Sequence, residues 1–281
     1  VIGRGGSVFG VVSDGGGARY AVARTMAEVE PMKGSKYVQA AAAGCYRQAR
    51  RELAAGRHVL FTGTPCQTAA LRSFLGGDRP GLLTCEVVCH GAPPREVHER
   101  CLRLAGVDPA QVAEVSFRNT RAWNFVTKVR LRDGRVRGLF HAPDIYMKLF
   151  MRKLTYKPAC YACPFAQVPR YADFTIGDFW GIRPSATFRP NPSGTSVLLL
   201  NTARAREAFG AVAARFTAEE RQLDEAVPNN PNLVRPTALP EGRDALMADL
   251  FSMEHDALVT KWRLGNTLRN YVGHYLRKLK S

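Results

Sequence analysis

The sequence predicts an α/β fold: a mixed, partly parallel sheet flanked by helices, with a loop-rich cysteine region and a helical C-terminal tail. Three observations support this. Residues 58–62 and 82–88 are largely apolar, strand-length runs, and each leads through a short loop into helical periodicity, at 67–75 and 94–104. Repetition of strand, loop and helix with buried strands is the pattern of parallel α/β sheets. Glycine turns at Asp14-Gly15-Gly16-Gly17 and Asp133-Gly134 separate strand-like segments and add antiparallel neighbours. A chain of 281 residues is long enough for one large core or two smaller ones.

The elements follow in order. Residues 8–12 and 20–23 are strands around the first glycine turn. The polar loop Lys33-Gly34-Ser35-Lys36-Tyr37 leads to a helix expected over 38–55. Strand 58–62 ends at Gly63-Thr64-Pro65-Cys66, and strand 82–88 at Cys89-His90-Gly91. Residues 115–118 form another strand, 125–131 and 135–140 a hairpin, and 142–154 a helix. A cysteine loop spans 158–170, and a short strand at 174–177 precedes Asp178-Phe179-Trp180-Gly181. Strand 197–200 and helix 203–216 close an α/β domain over residues 1–225. Residues 226–241 hold four prolines and three asparagines and read as a linker. Residues 242–281 read as a basic helical tail. There is no internal repeat.

The formal charge is +16, from 40 basic and 24 acidic residues, which calls for an anionic partner such as a phosphate-bearing cofactor, an acidic protein or a membrane surface. Nucleic acid is disfavoured, because the charge is scattered, without a basic block or interleaved aromatics. Residues 261–280 carry six Lys/Arg and no acid, with Leu268, Val272, Tyr275, Leu276 and Leu279 at helical spacing. Such a helix suits a membrane surface or an acidic protein. Gly265 and Gly273, each costing about 1 kcal/mol in a helix, favour an ordinary terminal helix packed on the domain. No apolar run is long enough to span a bilayer, and no secretory signal opens the chain. The first residue is Val1, so the chain reads as a fragment or a processed product. The expected location is cytoplasmic, with peripheral membrane contact through the basic tail.

Seven cysteines cannot all pair, and a chain of this length needs no stapling. Cys45 and Cys101 fall on apolar helical faces and read as small buried hydrophobes. Cys85 lies inside an apolar strand; it is a core residue and the first substitute for a ligand elsewhere. Cys66, Cys89, Cys160 and Cys163 lie in loop-like motifs, the last two as Cys160-Tyr161-Ala162-Cys163-Pro164. Four thiolates suit one iron–sulfur cluster or one zinc, and Cys-Pro after the CxxC leans toward iron–sulfur. Cys66 and Cys89 sit at the carboxyl ends of strands, where open α/β sheets place their sites. There is no nucleophile triad and no phosphate-binding P-loop. Gly3-Arg4-Gly5-Gly6-Ser7-Val8 lacks the third glycine and the preceding strand of a dinucleotide fingerprint.

These motifs occur in one order: Lys33-Gly34-Ser35-Lys36-Tyr37-Val38-Gln39, Gly63-Thr64-Pro65-Cys66-Gln67, Cys89-His90-Gly91, Phe117-Arg118, Cys160-Tyr161-Ala162-Cys163 and Thr175-Ile176-Gly177-Asp178-Phe179-Trp180-Gly181. Together they resemble the coenzyme F420 hydrogenase/dehydrogenase beta-subunit family, over roughly residues 1–205. The resemblance implies an oxidoreductase subunit that passes electrons between a 4Fe–4S cluster, FAD and a deazaflavin (coenzyme F420) or other two-electron acceptor. It implies Cys66, Cys89, Cys160 and Cys163 as cluster ligands. Ser35, Lys36, Tyr37, Thr64, Gln67, His90, Arg118 and Asp178 then belong to the cofactor environment. A ferredoxin or another redox subunit is the implied partner. Family members often carry a ferredoxin-like run of cysteine repeats at the N-terminus, which this sequence lacks.

Several roles stay open on sequence alone. His90 either bonds a cluster sulfur or flavin carbonyl, or satisfies a turn. Lys36 and Arg118 either neutralise FAD phosphates or the reduced ring, or are solvated charges. Asp178 either orients a ligand loop or caps a turn. Trp123 and Trp180 stack on a ring or belong to the core. Two rival functions remain: a zinc-stabilised basic binding module, and a catalytically degenerate accessory protein.

Overall fold

The computed structural model describes residues 1–42, 44–118, 127–139 and 144–265. Trp123, part of the expected helix at 142–154, and the stretch 266–281 with its apolar stripe fall outside them. The strands are β1 (Ser7–Asp14), β2 (Gly17–Ala23), β3 (Ala40–Ala41), β4 (Val59–Gly63), β5 (Leu82–Val87), β6 (Val112–Ser116), β7 (Lys128–Leu131), β8 (Val136–Gly138), β9 (Phe174–Asp178) and β10 (Ser196–Leu200). The helices are α1 (Met26–Val29), α2 (Cys45–Ala54), α3 (Pro65–Leu75), α4 (Arg95–Leu104), α5 (Ile145–Met151), α6 (Pro158–Tyr161), α7 (Ala203–Gly210), α8 (Leu223–Ala226), α9 (Arg243–Ser252) and α10 (His255–Lys261).

Seven strands form one mixed sheet in the order β10-β9-β5-β4-β1-β2-β3. The pairs β1–β4, β4–β5 and β5–β9 are parallel, whereas β1–β2 and β9–β10 are antiparallel. The expected α/β architecture is therefore present. The hairpin expected around Asp133-Gly134 belongs to a separate three-stranded antiparallel sheet, β6-β7-β8. Nothing in the local pattern distinguishes a strand of that sheet from a strand of the main one.

The expected helix at 38–55 starts late. Ala40 and Ala41 pair with Ala18 and Arg19 of β2, and Gln39 N–H donates to Pro93 O at 3.1 Å. Gly44, at φ 81, then turns the chain into α2. Tertiary pairing overrides helical propensity over these residues. The expected helix at 203–216 likewise stops at Gly210, followed by a single 3-10 turn.

One core lies between the main sheet and α2 and α3, where Phe9, Val59, Phe61, Ala49, Leu71 and Leu75 are buried. Cys45 belongs to it, and burial pushes its thiol up to about 11. The second core joins α4, the small sheet, α5, α9 and α10 around Leu149, Tyr156, Leu246, Leu250 and Leu258. Cys101 is buried there. The described part of the C-terminal tail is thus packed: Arg100 donates to Leu250 O and Met253 O at 2.9 and 2.6 Å.

The opposite face of the main sheet is barer toward β10. Val87, Ile176 and Leu198 are aligned by the strand registers and are 40%, 39% and 36% exposed.

Residues 226–241, expected as a linker, make two 3-10 turns with proline in their first positions. Asn230, Asn232, Leu233 and Thr237 in this stretch are buried. Pro suits the first turn of a helical segment because its missing N–H has no partner there. Here the prolines start turns that pack against β9, β10 and the loop after β9, through Phe179, Val197 and Leu233.

Candidate functional site

Three neighbouring strands, β4, β5 and β9, run parallel, so their carboxyl ends share one edge. Cys66 follows β4, Cys89 and His90 follow β5, and Asp178 ends β9. Ligands of open α/β sheets bind outside this edge.

Cys66 lies in the first turn of α3, after the N-cap Thr64 and Pro65, and is exposed. The unpaired N–H groups of that turn favour negative charge. Thr64 Oγ1 is 3.1 Å from Cys66 Sγ. Gln67 Oε1 accepts from Thr64 N, Thr64 Oγ1 and the Tyr20 hydroxyl, each at 3.0 Å. Thr64 and Gln67 therefore fix the start of α3, and Tyr20 on β2 braces it.

Cys89 and His90 are held from both sides. Gly91 has φ 137, and a Cβ placed on it would lie 2.3 Å from the Tyr156 ring. Only glycine lets this backbone lie against an aromatic ring. Tyr156 is anchored by a 2.9 Å bond to Phe150 O. On the other side, Thr237 Oγ1 donates to His90 O at 2.6 Å. Burial pushes the Cys89 thiol up to about 12; the Gly91 N–H opposes this, and Cys66, Cys160 and Cys163 push it further. Burial also lowers the His90 pKa, with Lys153 adding to the effect and Asp178 opposing it.

Cys160 lies in the short α6, and its N–H bonds Lys157 O at 2.9 Å. Burial raises the Cys163 thiol, the N–H groups of Phe165 and Ala166 lower it, and Cys66 and Cys160 raise it. Arg170 anchors this turn. Its side chain is 1% exposed and its Nε bonds Glu86 Oε1 at 2.5 Å. Its Nη1 donates to Phe165 O, Gln167 O and Leu233 O at 3.1, 3.3 and 3.2 Å.

Of the four thiols predicted together, Cys89 thus feels the other three, and Cys163 feels Cys66 and Cys160. Among the described residues, no group of three or more His, Cys, Asp or Glu is set closely enough to hold a metal ion. Cys85 lies within β5, where burial, then Glu86 and Asp173, push its thiol up to about 12.

The other predicted residues divide. Arg118 and Asp178 make a two-pronged ion pair, Nη1–Oδ1 3.1 Å and Nη2–Oδ2 2.7 Å, at 26% and 27% side-chain exposure. This fork is the strong form of such a pair. Tyr37 lies beside it: burial raises its phenol, the Ser35 side chain and Arg118 lower it, and Asp178 raises it. Tyr37 also packs against Phe117 and Phe150. Lys36 is turned elsewhere, donating to Pro31 O, Lys33 O and Gly34 O at 3.0, 2.6 and 3.2 Å, and so closes its own loop. Trp180 is half-buried at the turn after β9.

Sequence reasoning did not single out Tyr20, Tyr156, Arg170, Glu86 or Thr237. The signal for Tyr156 was its place in an aromatic cluster just before the CxxC. Thr237 gave none, because its partner lies 147 residues away.

In chemistry the donor set suits an iron–sulfur group: four soft sulfur donors, two of them just past β4 and β5, with backbone N–H groups directed at Cys89 and Cys163. A fork-paired cation and a half-buried phenol stand beside it, groups suited to an anionic cofactor.

Three comparisons bear on this arrangement. A family model for the C terminus of the coenzyme F420 hydrogenase/dehydrogenase beta subunit matches residues 56–226. No curated protein matches the chain. Among solved structures, a chain of the F420-reducing NiFe hydrogenase complex from Methanosarcina barkeri, in a xenon-derivatised form, superposes with a TM-score of 0.50 at 17% identity. The match covers 91% of this chain and 78% of that one. At this identity the likeness speaks for the fold.

Proposed function

Because the chain belongs to the coenzyme F420 hydrogenase/dehydrogenase beta-subunit family, we propose that it is an electron-transfer subunit built around one 4Fe–4S cluster and FAD. It would pass electrons between a ferredoxin or another redox subunit and a deazaflavin or other two-electron acceptor. The reading is supported by Cys66 and Cys89 lying just past the carboxyl ends of β4 and β5, and by Cys66, Cys160 and Cys163 all acting on the Cys89 thiol.

When bound, the cluster and flavin would supply one-electron and hydride chemistry. The protein's own task is then to bind and orient. Cys66, Cys89, Cys160 and Cys163 would hold the cluster. The N–H groups of Gly91, Phe165 and Ala166 stabilise negative charge on two of the sulfurs. Thr64 and Gln67 fix the first ligand on α3. Arg118, held in orientation by Asp178, presents a permanent cation, with Tyr37, Ser35 and His90 around it, as the flavin-facing group. Lys36 keeps the loop that carries Ser35 and Tyr37 in place.

In this reading residues 1–225 form the redox domain, α9 and α10 pack on it, and the basic stretch 266–281, outside the described residues, is the part that would meet an acidic partner or membrane surface. No described helix is long and apolar enough to cross a membrane. The working location is the cytoplasm.

An anaerobic absorbance spectrum with iron, sulfide, zinc and flavin assays on the same sample tests the proposal. Expected are about four irons per chain and an absorbance in the blue that dithionite bleaches. Cys160→Ala and Cys163→Ala should lose it, and Cys85→Ala should keep it. A colourless protein with one zinc overturns the proposal in favour of a structural metal. Iron without flavin or turnover points to an accessory role.

A further inference from the structure

The proposed ligands Cys89 and Cys163 lie on separate segments, yet a largely buried chain of hydrogen bonds joins those segments through residues that are not ligands. Arg170, placed by Glu86, grips the turn after Cys163 by the carbonyls of Phe165 and Gln167. The same Nη1 reaches across to Leu233 O in the proline-rich segment. One residue earlier, Asn232 Nδ2 donates to Thr237 Oγ1 at 3.0 Å. The Thr237 hydroxyl in turn donates to His90 O, the carbonyl following Cys89. Leu233 is 0% exposed, and Asn232 and Thr237 are 3% exposed, so the Arg170–Leu233 and Asn232–Thr237 bonds are buried, and the bonds to Phe165, Gln167 and His90 are partly so.

We propose that Arg170 and Thr237 are the two ends of a strut that fixes the Cys163 turn to the Cys89 loop, and so sets the spacing of these two thiols. The inference rests on the cluster reading above. It also gives a physical reason for a buried ion pair. Such pairs rarely add net stability, and conformational specificity is one reason for keeping them. Here Glu86 is 0% exposed, and its charge orients a guanidinium that serves three carbonyls in two segments. Arg is required because one planar fork must meet the carboxylate and the carbonyls together.

Thr237→Val keeps the shape and removes both bonds of the hydroxyl, and Thr237→Ser restores the hydroxyl. Arg170→Lys keeps the charge beside Glu86 but not the fork. The whole chain purified anaerobically is followed for iron release to a chelator, for cluster midpoint potential and for thermal unfolding of the iron-free form. Residues supporting metal ligands typically change affinity about 10–100-fold. Iron release should therefore be about ten-fold faster or more in Thr237→Val and Arg170→Lys, with a shifted potential, and Thr237→Ser should restore both. The double variant should release iron no faster than the worse single variant, because both changes cut one strut. Wild-type release rates and potentials in both single variants overturn the strut. A wild-type protein that holds no iron overturns the cluster reading itself, and is seen before any variant is compared.

Discussion

Gly91→Ala separates backbone strain from a steric clash in the loop that carries Cys89. At φ 137 a side chain is disfavoured, at a cost of about 1–2 kcal/mol on the scale of left-handed backbone. The added carbon would also stand 2.3 Å from a Tyr156 ring atom. That ring is 1% exposed, bonded to Phe150 O and packed on Phe150 and Tyr161, so it cannot swing into solvent. Overpacking of this kind costs about 1–3 kcal/mol. Together they give a loss of about 2–5 kcal/mol. Gly34→Ala is the control, since Gly34 has φ 78 and nothing within 4 Å of an added carbon. It should lose only the backbone part. Urea unfolding, read from midpoints at a common slope, gives both losses. Equal losses for the two variants would refute the argument that Tyr156 is what forbids a side chain at residue 91.

Three further outcomes are expected. Glu52 is buried on α2, and its carboxyl is held at about 2, chiefly by Arg57, with Ser7 and Arg24 helping against burial. A depressed folded-state pKa contributes stability above the ordinary value of 4.5, and that contribution fades as pH falls toward about 2. The gap between wild type and Glu52→Gln, about 1–3 kcal/mol at neutral pH, should close in acid; a gap constant from pH 7 to 3 refutes it. Glu86→Leu leaves Arg170 charged and buried, and should cost about 3–5 kcal/mol in chemical denaturation; a loss under 1 kcal/mol would show that Arg170 finds water instead. Asp178→Asn weakens the fork to Arg118 and should cost about 1 kcal/mol, together with faster loss of flavin on gel filtration if Arg118 faces the cofactor. Flavin retention equal to wild type counts against that placement.

The strands that build the site edge were legible, because β4, β5 and β9 are short apolar runs ending in turn residues, the pattern period alone reveals. The start of α2 was not. Ala40 and Ala41 favour helix, but a strand 22 residues earlier captures them, and only tertiary structure holds that information. The small sheet was legible as a hairpin and not as a separate sheet, because β6, β7 and β8 carry no mark of which sheet they join. In the site, the cysteines stood out because their types and spacings are rare outside metal chemistry. The Arg118–Asp178 fork did not, since its members are 60 residues apart, Arg118 reading alone as a solvated charge and Asp178 as a turn cap. Proline-rich composition misdescribed residues 226–241, where the prolines begin turns whose asparagine side chains satisfy buried carbonyls.

The chain positions of the thiols have a consequence for biogenesis. Cys66 and Cys163 are separated by β5 and the whole small sheet, the strand pairing β5–β9 completes only after Cys163, and the bond that steadies Cys89 waits for Thr237. Parallel pairings and distant contacts form late, after loop closure has been paid in entropy. On the proposed reading, a cofactor gripped by these four sulfurs would not template the fold as a local metal knuckle does. It would enter a chain already synthesised past Thr237 and largely folded. Delivery then becomes an encounter between a finished protein and its donor, and chains terminated before Thr237 should leave that encounter without a stable cargo.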